Sequence, residues 1–238
     1  MRSRRQFIQL ASSLVAVLAD TQAHSARAQA GQQIWLPMVR GPIADAPIAG
    51  PASGTPEQAA AWLSARSSIN YTRLAVTEIV DAYQQIGDSG EMDWFLAIAQ
   101  MAHETGSLTS WWSQRPRRNP AGIGVTGRTQ FGLPGLPPPG AWAWDDAAQL
   151  WREGVSFSEW ATHAVPAHLG RLLAYALRDD QASPAQRDLI DYALMYRPLP
   201  DSYRGCAPTI TELNGRWAVP GTDYGQRIMD LAERMRAG

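Results

Sequence analysis

A mainly α-helical domain with one small, irregular β-lobe in its middle is the fold class this sequence predicts, and three observations carry that expectation. Apolar residues recur at three- and four-residue spacing over 56–66, 73–86, 91–105, 159–178, 184–195 and 222–236. The period disappears between about residues 115 and 153, where prolines and glycines crowd 132–140. Within that interval Ala121 to Thr126 alternates enough to form one strand of a small hairpin.

The chain has 238 residues, 45% of them hydrophobic and 18% charged. That suffices for one packed domain of about 150 to 200 residues with appendages. Residues 1–30 read as an export signal: Arg2, Arg4 and Arg5 precede an apolar run from Phe7 to Ala19, and Ala28-Gln29-Ala30 is a small-x-small cleavage site. The apolar run is too short to span a bilayer, so no stable transmembrane anchor is expected. Ser3-Arg4-Arg5-Gln6-Phe7-Ile8 resembles the twin-arginine export signal. The expected location is therefore extracytoplasmic, in the cell envelope or secreted. Residues 31–55 are rich in Pro, Gly and Ala and read as a linker with one apolar island, Ile34 to Val39. The domain proper is expected over 56–238.

All 21 basic residues are arginine. Removal of the signal leaves 17 basic and 21 acidic residues, and this negative balance argues against nucleic acid as a partner. Cys206 is the only cysteine, so no internal disulfide is available, and it is expected to be a small buried hydrophobe.

Thr55-Pro56-Glu57 supplies a capping residue and an N-terminal proline for the first helix. The third helical segment matters most. Trp94 to Ala99 leave almost no polar face, so this helix should run through the core, and Gly106 is a natural left-handed stop. Glu104 then sits in the last turn, where the negative end of the helix dipole and partial burial both favour the protonated acid. A carboxyl kept protonated near neutral pH can act as a general acid toward a departing sugar oxygen. Its alternative is a carboxylate paired with Arg115, Arg117 or Arg118. His103, about 100° around the helix, is expected to support or pack. A zinc-peptidase reading fails, because the His-Glu-x-x-His spacing needs a histidine where the chain has Ser107. No metal or other cofactor is expected.

Three blocks resemble one family in order and approximate spacing. Ala99-Gln100-Met101-Ala102-His103-Glu104-Thr105-Gly106 is similar to its Ala-x-x-Glu-[Ser/Thr]-Gly, Asn119 to Gly127 to its Asn-x-x-Gly-Ile-x-x-x-Gly, and Leu213 to Tyr224 to its closing Tyr-Ala-x-Asp-x-x-Tyr. The family is the glucosaminidase cell-wall hydrolases, the mannosyl-glycoprotein endo-β-N-acetylglucosaminidase-like domain of glycoside hydrolase family 73, and the likeness covers roughly 57–236. The resemblance implies a lysozyme-like α+β domain that cleaves peptidoglycan glycan strands at the β-1,4 bond after N-acetylglucosamine, with Glu104 as the acid. A monomer is expected. The resemblance also implies that Asn119, Gly122, Ile123 and Gly124 line the glycan cleft, near Trp217 and Tyr224.

Two positions depart from the family pattern. Trp217 stands where it has a tyrosine, and its second carboxylate has no clear counterpart; Glu153, Asp146 and Asp145, in that order, are the candidates. Six tryptophans between residues 111 and 160, Trp112 among them, suit a groove that stacks on sugar rings, and two or three are expected to face it. A lytic transglycosylase of the same fold and a non-catalytic glycan-binding module are the alternative functions.

Overall fold

The computed structural model describes residues 45–238. The export signal and the apolar island of the linker lie outside the described residues. Six α-helices and one three-stranded antiparallel sheet make up the regular structure among them. No helix among the described residues is long and apolar enough to cross a membrane.

Helix α1 (Pro56–Ser64) starts on a capping box: the Thr55 side chain accepts from the Gln58 amide and the Gln58 side chain accepts from the Thr55 amide. Helix α2 (Arg73–Ser89) is capped by Thr72. Helix α3 (Trp94–Thr105) is capped by Asp93, whose carboxylate accepts from the Leu96 amide at 3.0 Å, and ends on Gly106 in the left-handed conformation. Every residue of α3 from Trp94 to Ala102 is buried, and it packs against α1, α2 and two later helices. Each large apolar side chain so enclosed stabilises the fold by roughly 1.5 to 3 kcal/mol.

Helix α4 (Val165–Ala176) follows a π-turn over Trp160–Ala164, in which the Ala164 amide donates to the Glu159 carbonyl. From Ala167 onward α4 is buried without interruption. It packs most extensively on α5 (Pro184–Tyr196). Gly170 permits the approach: a Cβ there would stand 1.8 Å from the Leu189 carbonyl oxygen. Gly170→Ala should therefore force the two helices apart and lower stability by about 2 to 3 kcal/mol, read from chemical denaturation. Helix α6 (Tyr224–Ala237) packs on α3, and an Asn214 oxygen accepts from the Gly225 amide at its start.

The β-lobe is an excursion from this helical body. Strands β1 (Thr129–Phe131), β2 (Trp142–Asp145) and β3 (Leu150–Glu153) pair in the order β1-β3-β2. The strand expected over Ala121 to Thr126 is absent. Gly122 and Gly124 hold positive φ values of 61° and 73°, which breaks an extended run. Asn119 takes over the hydrogen bonds a ladder would make: its oxygen accepts from the amides of Ala121 and Ile123, and its nitrogen donates to the carbonyls of Ile123 and Val155. The strands arise instead from the Trp-rich sequence after it, where Trp144 packs edge-on against Trp151.

Residues 45–55, expected to be linker, lie against the domain. Ile48 is 1% exposed, its amide donates to the Pro208 carbonyl, and its carbonyl accepts from the Asp93 amide. Apolar Ala46 and Ile48 complete the core at the edge of α3, so the folded unit begins upstream of the first helix. Cys206, expected to be buried, is half-buried against the core and a free thiol.

Candidate active site

A cleft of about 420 Å³ opens at the C-terminal end of α3. Its lining comes from four places: Glu104 on α3, the Ala121 to Val125 loop, Arg171 and Tyr175 on α4 with Arg197 after α5, and Arg216, Trp217 and Ala218 before α6. Glu104 is the one carboxylate in that lining. Burial pushes its pKa up, and the Tyr224 hydroxyl, the His103 charge and the Trp217 indole act more weakly in the opposite direction.

None of the three arginines proposed as partners reaches Glu104. Arg115 donates to the Asn70 carbonyl, Arg117 to that of Trp111 and Arg118 to that of Pro116. The carboxyl is held from behind. Tyr224, 4% exposed, donates its hydroxyl hydrogen to Glu104 Oε1, and His103 stands edge-on over the same ring at 5.6 Å.

A buried chain of hydrogen bonds continues inward from Tyr224. Gln100, one turn before Glu104 on α3, donates from Nε2 to Tyr224 Oη at 2.8 Å. Its Oε1 lies 2.8 Å from His168 Nε2, and His168 Nδ1 lies 2.8 Å from Tyr83 Oη. With Gln100 so oriented, donor and acceptor chemistry assigns the proton of neutral His168 to Nε2, and Nδ1 accepts from Tyr83. Full burial lowers the His168 pKa to about 3, so the ring stays neutral at ordinary pH. Burial and the neighbouring Glu104 charge raise the Tyr224 pKa well above 10, so it stays a donor. Every bond in the chain points toward Glu104 Oε1. When Glu104 is protonated, its proton is thereby confined to Oε2.

This arrangement makes Tyr224→Phe informative. Loss of the hydroxyl removes a bond that favours the carboxylate, so the Glu104 pKa should rise further and the alkaline limb of the pH–rate profile should move to higher pH. The variant also leaves Gln100 Nε2 unpaired in the core, which should cost about 1 to 3 kcal/mol of stability.

The other residues expected at the site are distributed as follows. Gly122 and Ile123 line the cleft, and a Cβ at Gly122 would meet open space. Gly124 instead packs on Val155, where a Cβ would come within 2.9 Å of the side chain. Asn119 is fully buried and serves the loop clamp. Trp217 lines the cleft and is half-buried. Trp112 does not line it: the end of its indole covers Gly154, and its partner is Trp111, ring centroids 4.8 Å apart.

None of the six tryptophans between 111 and 160 contributes to the Glu104 cleft. Trp111 carries the Arg117 guanidinium at 3.6 Å, and Trp160 donates to the Tyr71 hydroxyl. They pack the lobe and its junction because paired indoles supply apolar area that strands of three or four residues lack.

The candidate second carboxylates are also outside the cleft. Glu153 accepts from Thr126 and pairs with Arg128 at 3.3 Å. Asp145 is buried and accepts from Arg152 Nε at 2.7 Å, a bond that holds its pKa below the usual carboxylate range. Asp146 is exposed and accepts from Trp144 and Gln149. Among the described residues no cluster of three or more His, Cys, Asp or Glu side chains could hold a metal ion.

Comparison of the chain with protein-family models, curated proteins and solved structures finds no match. The residues of the cleft therefore carry the functional reading.

Proposed function

We propose that this protein is an exported peptidoglycan hydrolase of lysozyme-like architecture, cleaving the β-1,4 bond after N-acetylglucosamine. The observation that carries the reading is a lone, partly buried carboxyl with a raised pKa at the floor of an open cleft, oriented by Tyr224. In the proposed step Glu104 Oε2 gives its proton to the glycosidic oxygen as the bond from that oxygen to the anomeric carbon breaks. The 2-acetamido oxygen of the substrate bonds to the anomeric carbon from the other face. Water then opens that ring, gives a proton to the Glu104 carboxylate and leaves a reducing N-acetylglucosamine end.

One observation favours a second reading. No second carboxylate lines the cleft, so neither an enzyme nucleophile nor a carboxylate base for water is at hand. A lytic transglycosylase needs neither: the C6 hydroxyl of the muramic acid residue attacks its own anomeric carbon, passes its proton to Glu104 and forms an anhydro end. Mass spectrometry of digested sacculi separates the two. Reducing N-acetylglucosamine ends support the hydrolase, anhydro-muramic ends support the transglycosylase, and sacculi bound tightly without product would reveal a glycan-binding module.

A further inference from the structure

We propose that Arg171, Arg197 and Arg216 form an anion subsite of the cleft that takes a carboxylate carried by the glycan; this rests on the glycosidase reading above. All three line the same cleft as Glu104. Four ion pairs occur among the described residues, and none includes any of these arginines.

Arg171 is the telling member. It is 8% exposed, in the middle of a buried helix, yet borders the cleft. One nitrogen, Nη1, donates to the Arg197 carbonyl at 2.9 Å, and the guanidinium lies 5.7 Å from the Trp217 ring centroid. Arg197 and Arg216 are exposed at the ends of their elements, and Arg216 donates to the Glu212 carbonyl. A buried cation without a counter-charge is costly. Burial is the main influence against the Arg171 cation, and the neighbouring Arg197 charge adds to it, while Tyr175 beside it offsets only part. Glu104 does not relieve it, because its surroundings are Tyr224, His103 and Trp217.

An anion delivered by the substrate supplies the missing charge. The planar guanidinium fork matches a carboxylate in bidentate fashion. Trp217 shares the cleft lining with Glu104, and its ring centroid is 5.7 Å from the Arg171 guanidinium. A sugar ring against this indole would bring its glycosidic oxygen toward the acid and an acidic substituent toward the arginines. The substrate class is thus an acidic amino-sugar glycan, with the carboxylate on an ether substituent of the ring or on a peptide attached to it. A neutral polymer of N-acetylglucosamine leaves the three cations uncompensated.

Calorimetric titration of Glu104→Gln, which holds glycan without turnover, tests this. Three tetrasaccharides are compared: N-acetylglucosamine tetramer, the peptide-free alternating strand with its lactyl carboxylates, and the same strand with stem peptides. Either acidic strand should bind roughly tenfold or more tightly than the neutral tetramer at low salt. The stronger of the two locates the carboxylate on the ether or on the peptide. Adding Arg171→Gln together with Arg197→Gln and Arg216→Gln should bring the preference close to unity, with a single cooperative melting transition showing that the fold is retained, and the exposed pair Arg197→Gln and Arg216→Gln alone should reduce it by roughly threefold or more. Equal binding of neutral and acidic strands overturns the subsite, as does a preference that the exposed pair does not reduce or one that survives the triple substitution. The two proposals fail separately: cleavage by wild type without an acidic preference removes the subsite alone, whereas an arginine-dependent preference without cleavage removes the glycosidase reading and upholds the subsite.

Discussion

Glu104→Gln should reduce glycan cleavage by about 10² to 10⁴-fold, the range typical for loss of a general acid. The amide fills the same space, keeps an oxygen for Tyr224 and cannot release a proton. Product release from purified sacculi measures the loss, and wild-type activity in the variant would remove Glu104 from the mechanism. The same substitution should also raise the melting temperature at neutral pH. The sign follows from the raised pKa: the folded state holds the Glu104 proton to higher pH than the unfolded chain does. Its contribution to stability is therefore fully present below the unfolded value of about 4.5 and is lost as pH rises toward the folded value. A neutral amide avoids that loss, so a higher melting temperature than wild type is expected near pH 7 and no difference near pH 4.

His168→Leu should have the largest effect on stability. It leaves the Tyr83 hydroxyl and Gln100 Oε1 without partners in the core, at about 1 to 3 kcal/mol each, for a total of roughly 3 to 5 kcal/mol in chemical denaturation. Activity should fall as well in whatever fraction remains folded, because Gln100 loses the bond that fixes the direction of the chain reaching Glu104. The wild-type histidine has the opposite pH sense to Glu104. Its folded pKa is depressed to about 3 from 6.5, so the neutral ring contributes stability above about 6.5 that is lost as pH falls toward 3. A loss of about 1.4 kcal/mol per pH unit across that window is expected in the wild type, and a flatter profile in the variant.

Much of the helical body was legible because local chemistry and burial agree. Thr55 and Pro56 start α1 and Gly106 ends α3 at the expected positions, and the unbroken apolar face of Trp94 to Ala99 marks a core helix. The lobe was harder. Ala121 to Thr126 alternates like a strand, but one asparagine and two left-handed glycines give the segment another set of hydrogen bonds. Glu104 stood out as a carboxylate at the end of an apolar helix. Gln100, His168 and Tyr83 are buried on three different helices, and nothing in their spacing shows that they meet. Arg171, Arg197 and Arg216 come from three separate segments, so only the fold assembles them.

The Asn119 clamp frees the cleft from the sheet beside it. Four hydrogen bonds from one buried side chain fix the Ala121 to Ile123 wall and tie it to Val155, so that wall needs no strand pairing to keep its shape. The excursion that follows leaves and re-enters the body at adjoining points, with Thr126 hydrogen-bonded to Glu153, and no residue between them touches the cleft. The geometry around Glu104 is therefore set by the helices and the clamped loop, not by the strands of the insert. The aromatic-rich lobe is in that sense an attachment, and the helical body with its clamped loop is the mechanical unit on which it is mounted.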